Sequence, residues 1–246
     1  MDHETYLAHM VEQGEAFRAA AVAAGPAATV PTCPKWTVAD LVAHLGGVHN
    51  MVRGALRLKP DDARPASATP PTGWPDLLDW ADEQRLGMIS GLSSVDPSTQ
   101  VWGFVPGLGS VGWWGRRQAH ELAIHRLDAE HALGSTVPPL GYDPAFAADG
   151  IDEVVAMIAP FRARLKRPEV TVEGTLLVHA ADAGRAWLVT VSGGALQVRA
   201  PVDDPGTDAD ATLAGTADAV YRAVWKRPST AILTGRDELL QAVNAG

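Results

Sequence analysis

From Trp113 to Leu133 the chain carries no proline and no glycine other than Gly115, and directly after it, from Gly134 to Pro144, comes a stretch rich in Gly, Pro and Thr. A long helix-permissive run that stops at such a stretch predicts a helix closing one domain and a connection leading to another. The same punctuation divides everything upstream. Residues 3 to 24 place Leu7, Met10, Val11 and Phe17 at helical spacing before Gly25-Pro26 stops them. Thr37 is an N-cap with Asp40 three positions on, and Trp36 and Leu41 occupy the two positions of a hydrophobic staple. The helix they open runs to about Leu58. Lys59 to Pro75 reads as a surface loop, and a third helix extends from Trp74-Pro75 to about Leu92. After the Gly-rich interval Val105 to Gly112 comes the fourth helix, so residues 1–140 are expected to form a four-helix bundle.

Residues 141–246 read differently. A helix from about Pro144 to Leu165 leads into strand-like runs at Glu169 to Val178, Ala186 to Ser192 and Ala195 to Ala200, with Gly193-Gly194 as a hairpin turn between the last two. Ala211 to Gly215 is another strand, Thr216 caps a helix to Trp225, and Arg236 to Ala245 is a terminal helix. The expected fold class is therefore multidomain, α followed by α+β. No internal repeat or low-complexity tract is present.

Composition narrows the function. Apolar residues make up 46% of the 246, enough for a real core. The formal charge of −9 leaves no excess of Lys and Arg to neutralise phosphates, which argues against nucleic acid or an anionic membrane as partner and favours a small molecule. Cys33 is the single cysteine, so no intrachain disulfide forms. The start MDHETYLAHM lacks the basic and apolar blocks of a signal peptide, and no run approaches the length of a membrane span. The expected compartment is the cytoplasm.

The chemistry lies in Arg116-Arg117-Gln118-Ala119-His120-Glu121-Leu122-Ala123-Ile124-His125-Arg126-Leu127-Asp128. The run approaches the zinc-protease pattern HExxH, but position 124 is Ile and the second histidine is one place late. Positions five apart on a helix lie about 140° apart, so His120 and His125 do not share a metal, whereas Glu121 and His125 at i, i+4 are neighbours. Two ligands on one helix need a third from elsewhere. The second helix offers His44 and His49. With its apolar stripe centred on Leu41, Leu45, Val48 and Val52, these lie about 60° and 80° from the centre, a slight preference for His44.

The run Cys33-Pro34-Lys35-Trp36-Thr37-Val38-Ala39-Asp40-Leu41-Val42-Ala43-His44-Leu45, taken with Ala119 to Asp128, resembles the actinobacterial mycothiol-dependent maleylpyruvate isomerase family. The resemblance implies a DinB-like four-helix metal-binding domain followed by a small α+β domain of sterol-carrier type. It implies His44, Glu121 and His125 as ligands of a divalent metal, zinc by the chemistry of the donor set, with iron or nickel also suited. It implies mycothiol as thiol cosubstrate attacking a small-molecule electrophile, in isomerisation or S-transfer. It further implies an active-site arginine after the penultimate helix, for which Arg227 in Lys226-Arg227-Pro228 is the candidate. Asp128 is a candidate to accept the ring N–H of a ligating histidine.

Each of these residues also has a plain reading. Glu121 and His125 are the spacing of an ordinary helix-surface pair, and His44, His49 and His120 of core or pocket-lining histidines. Cys33 reads as inert, Trp113-Trp114 and Trp225 as core packing, and Arg116 and Arg117 as solvated charges. The rival function is a DinB-type module that binds metal or ligand without turnover. The electrophile is not legible, and monomer and homodimer are both open.

Overall fold

A computed structural model describes residues 1–105, 107–134, 141–165, 171–204, 206 and 208–244. The chain divides into two compact units, Met1–Pro138 and Pro139–Gly246. The boundary that the sequence places between residues 140 and 141 follows residues 135–140, which lie outside the described residues.

The first unit is built on helices α1 (His3–Ala24), α2 (Val38–Ala55), α3 (Trp74–Ser93) and α4 (Val111–His131). Local chemistry sets their ends. The Asp2 carboxylate accepts from Thr5 N–H at the start of α1. Thr37 and Asp40 form a reciprocal capping box at the start of α2, 2.8 Å from Thr37 N to Asp40 Oδ2 and 3.2 Å from Asp40 N to Thr37 Oγ1. Helix α2 ends three residues before Leu58, in a tighter turn in which Leu58 N–H bonds to Ala55 O. Helix α4 starts at Val111 because Ser110 caps it, accepting from Trp113 N–H at 3.1 Å.

Helix α1 packs chiefly on α4, and α2 on α3. The α2–α3 approach is close because position 46 is glycine, where a Cβ would collide with the Trp80 ring. The buried stripe of α2 is Leu41, Val42, Leu45, His49 and Val52, whereas Val48 is half-buried. The stripe is thus rotated from the one expected, which carries His49 into its middle and leaves His44 at its edge. In the first turn of α4, Trp114 is buried in the core with its Nε1 donating to Trp102 O at 2.7 Å, while Trp113, its ring 4.7 Å away, is half-buried.

The second unit opens with α5 (Pro144–Asp152), continues through a wider π-helical stretch at Glu153–Ile158, and resumes as α6 (Ala159–Leu165). Sequence expects one unbroken helix. Pro160 has no N–H to give and its ring would strike the carbonyl four residues earlier; the chain relieves this with a wider turn in which Ala159 N–H reaches Val154 O. A five-stranded sheet follows, β1 (Gly174–Ala180), β2 (Arg185–Ser192), β3 (Ala195–Arg199), β4 (Ala211–Gly215) and β5 (Ile232–Gly235), in the order β3-β2-β1-β4-β5. The β1–β4 pair is parallel and the others antiparallel. Residues 169 and 170, where the first strand is expected to begin, lie outside the described residues.

Helix α7 (Ala217–Val224), capped by Thr216, buries Val220, Tyr221 and Val224; α8 (Asp237–Asn244) ends the described chain. Strand β5 has no counterpart in the sequence reading. It is a short edge strand with Ile232 68% exposed, so it lacks the apolar alternation that marks a half-buried strand. Trp225 is half-buried rather than core. The α bundle followed by α+β is the architecture expected. No described helix is long and apolar enough to cross a membrane.

Candidate metal centre

Helices α2 and α4 bring His44, Glu121 and His125 together, with one donor atom from each lying within 4.8 Å of the others. Glu121 Oε1 is 3.3 Å from His44 Nε2 and 3.4 Å from His125 Nε2. A tetrahedral zinc with donors about 2.0–2.2 Å away requires donor separations on the order of 3.4 Å. The two contacts to Glu121 already meet this. The two histidine donors lie no more than 4.8 Å apart. The donor set and its spacing fit a divalent ion.

Other side chains fix which atom each of these residues presents. Arg117, one turn before Glu121, donates from Nη2 to Glu121 Oε2 and leaves Oε1 facing the histidines. Burial pushes the Glu121 carboxyl up, but the Arg117 charge and the contacts with His125 and His44 outweigh it and hold the group well below the usual carboxylate range. Asp128, fully buried, lies 2.8 Å from His125 Nδ1 through its Oδ2, so Nδ1–H donates there and Nε2 is turned to the cluster. Burial works against a charge on His125; the Asp128 and Glu121 carboxylates prevail and raise it to about 9.

The loop between α1 and α2 adds three residues. Thr32 Oγ1 donates to Asp128 Oδ1 at 2.6 Å, and Cys33 Sγ is 3.8 Å from Asp128 Oδ2. The Trp36 ring centroid is 4.8 Å from that of His44 and 6.2 Å from that of His125. The His44 side chain remains 33% exposed and that of His125 10%, so the cluster is open to small molecules on the His44 side.

Residues 7–130, just over half of the chain, match the family described as the mycothiol maleylpyruvate isomerase N-terminal domain. The chain belongs to this family. Two solved structures share its fold. A crystal structure of the mycothiol-dependent maleylpyruvate isomerase aligns with a TM-score of 0.67 at 13% identity, covering 95% of this chain and 93% of that one. A histidine-to-alanine mutant of the same enzyme aligns with a TM-score of 0.66, the same identity and the same coverage. No curated protein matches the chain in sequence.

Within this family member the remaining residues singled out in the sequence take distinct places. His49 is 2% exposed and, among the described residues, neither ring nitrogen has a hydrogen-bond partner. Burial pushes it down to about 3, against the pull of Glu121 and with the help of Arg85, His44 and His125. His120 is buried and meets the edge of Tyr6, with ring centroids 6.4 Å apart. Arg116 is half-buried.

Arg117 overturns its reading as a solvated charge: it is 5% exposed, since pairing with Glu121 requires it to turn inward. The i, i+4 spacing of Arg117 and Glu121 was the available signal. Thr32 had none, because its partner is 96 positions away. Arg227 lies in the second unit, in the turn after α7, with its N–H bonded to Arg222 O at 2.8 Å and its Nη1 to Trp225 O at 2.7 Å.

Proposed function

We propose that this protein is a metal-dependent enzyme in which His44, Glu121 and His125 hold one divalent ion, zinc by preference, and mycothiol serves as the thiol cosubstrate. The observation that carries the reading is the convergence of the three donors within 4.8 Å, with His125 Nδ1 anchored on Asp128 at 2.8 Å. Bound there, zinc supplies a Lewis-acid position at which a thiol gives up its proton near neutral pH.

The protein's own residues do the rest. Asp128 engages His125 Nδ1 and leaves Nε2 as the nitrogen that would meet the metal. Arg117 keeps Glu121 ionised and reserves Oε2, so a single carboxylate oxygen faces the cluster. The exposure of His44 provides the approach for thiol and electrophile, with the Trp36 ring as a flat wall beside it.

The thiolate forms a carbon–sulfur bond with an electrophilic carbon. For a maleylpyruvate-like substrate, addition turns the carbon–carbon double bond into a single bond, rotation follows, and breaking the carbon–sulfur bond returns the thiolate and the rearranged double bond. Retention of the adduct would instead be S-transfer. Arg227, assigned by family resemblance, pairs with the substrate's carboxylate in this account, because guanidinium and carboxylate match in two parallel hydrogen bonds.

The test is calorimetric titration of mycothiol into zinc-loaded protein, followed by assay of cis–trans isomerisation of maleylpyruvate with and without the thiol. Thiol binding that requires zinc, with turnover that requires both, is the expected result. Metal without thiol binding would mark the protein as a binding module instead.

A further inference from the structure

The loop joining α1 to α2 supplies no donor to the three-residue cluster, yet it touches both histidines. Its ends are clamped by main-chain bonds from Val30 N to Trp36 O at 3.0 Å and from Val38 N to Ala28 O at 2.8 Å. Inside the clamp, Cys33 N bonds to Val30 O and Trp36 N to Cys33 O. The positions of the Thr32 and Trp36 side chains are therefore set by a closed turn and not by either helix. Trp36 lies over His44. Thr32 reaches the other histidine through one intermediary.

That intermediary is Asp128, wholly buried and carrying two oxygens that must be satisfied. Oδ2 faces His125 Nδ1 at 2.8 Å, and Thr32 Oγ1 donates to Oδ1 at 2.6 Å. The Cys33 thiol, 3.8 Å from Oδ2, is a weak donor on the oxygen the histidine already uses. A carboxylate held at both oxygens does not turn about its own axis. With Oδ1 held by the hydroxyl, Oδ2 stays in line with His125 Nδ1, and Nε2 is the nitrogen turned to the cluster.

We propose that Thr32 is a positioning residue of the metal centre, acting on His125 through Asp128, so that the α1–α2 loop is a working part of the site. This rests on the metal-binding reading above. The assignment gives a reason for a hydroxyl at position 32 that packing alone does not: valine has the same shape and would fill the same space.

The experiment measures zinc affinity of the full chain by competition with a chromophoric chelator, for the native protein, Thr32→Val, Thr32→Ser, Asp128→Asn, and Thr32→Val combined with Asp128→Asn. Loss of such an outer contact typically weakens metal binding by about 10–100-fold. Thr32→Val is expected to fall in that range, Thr32→Ser to restore affinity, and Thr32→Val to add little once Asp128 is already Asn. Unfolding of each metal-free variant in urea separates this from a general loss of structure, which Ser would not selectively repair. Native affinity in Thr32→Val, equal weakness in Val and Ser variants, or fully additive losses in the double variant would overturn the proposal while leaving the three ligands standing. Absence of zinc binding in the native protein would instead remove the metal-binding reading, and this assignment with it.

Discussion

Arg117 and Glu121 stand one turn apart on α4, and the arginine's Nη2 donates to the carboxylate oxygen that faces away from the two histidines. The pair is largely out of water, with side chains 6% and 17% exposed. Truncating one partner of a buried ion pair strands the other, at a cost of about 3–5 kcal/mol. Arg117→Met is therefore expected to destabilise the metal-free protein by roughly that amount. Zinc would supply the missing positive charge, so the loss should be smaller in zinc-saturated protein. Urea unfolding of both forms checks this, and equal losses would mean that Glu121 does not face the ion.

His49 gives a prediction of opposite character. Its folded value, about 3, lies below the ordinary 6.5 of an exposed imidazole. The folded state holds the ring neutral while the unfolded state takes up a proton. Stability from this group is fully present above about pH 6.5 and is lost as pH falls towards 3, with a slope of at most about 1.4 kcal/mol per pH unit. In metal-free protein, His49→Leu should show a shallower decline between pH 6.5 and 4.5 than the native chain, and the same variant should still take up zinc. An unchanged slope would show that the ring finds a proton acceptor in the fold.

Thr37→Ala removes one half of the capping box at the start of the helix that carries His44. A loss of about 0.5–2 kcal/mol is expected in urea unfolding. Thr37→Ser should recover most of it.

These residues differ in how far a linear reading reaches them. The capping box and the i, i+4 step of Glu121 and His125 are legible because their partners are three or four residues apart. The choice of His44 over His49 was nearly undecided by periodicity. It depends on the rotation of α2 against α3, which is set by the seat of Trp80 on Gly46. The Thr32–Asp128 contact spans 96 positions and carries no local signature. The π-helical turn at Glu153–Ile158 was foreshadowed by Pro160, a residue that a helix interior tolerates only with some such adjustment.

Arg227 is assigned by family resemblance and is tested by separation of functions. Arg227→Ala is expected to keep its zinc and its affinity for mycothiol while losing most turnover, on the order of a hundredfold, as for the loss of a charged contact to the reacting substrate. Metal content by elemental analysis and steady-state rates at saturating thiol make the measurement. Undiminished turnover would remove Arg227 from the reaction.

Elemental analysis of the purified native protein beside His44→Ala and Glu121→Ala tests the metal centre itself. About one equivalent of zinc is expected in the native chain, as for a single catalytic site, and its loss in both variants. A native protein that takes up no divalent metal, or variants that retain it in full, would contradict the assignment of His44, Glu121 and His125 as the metal's ligands.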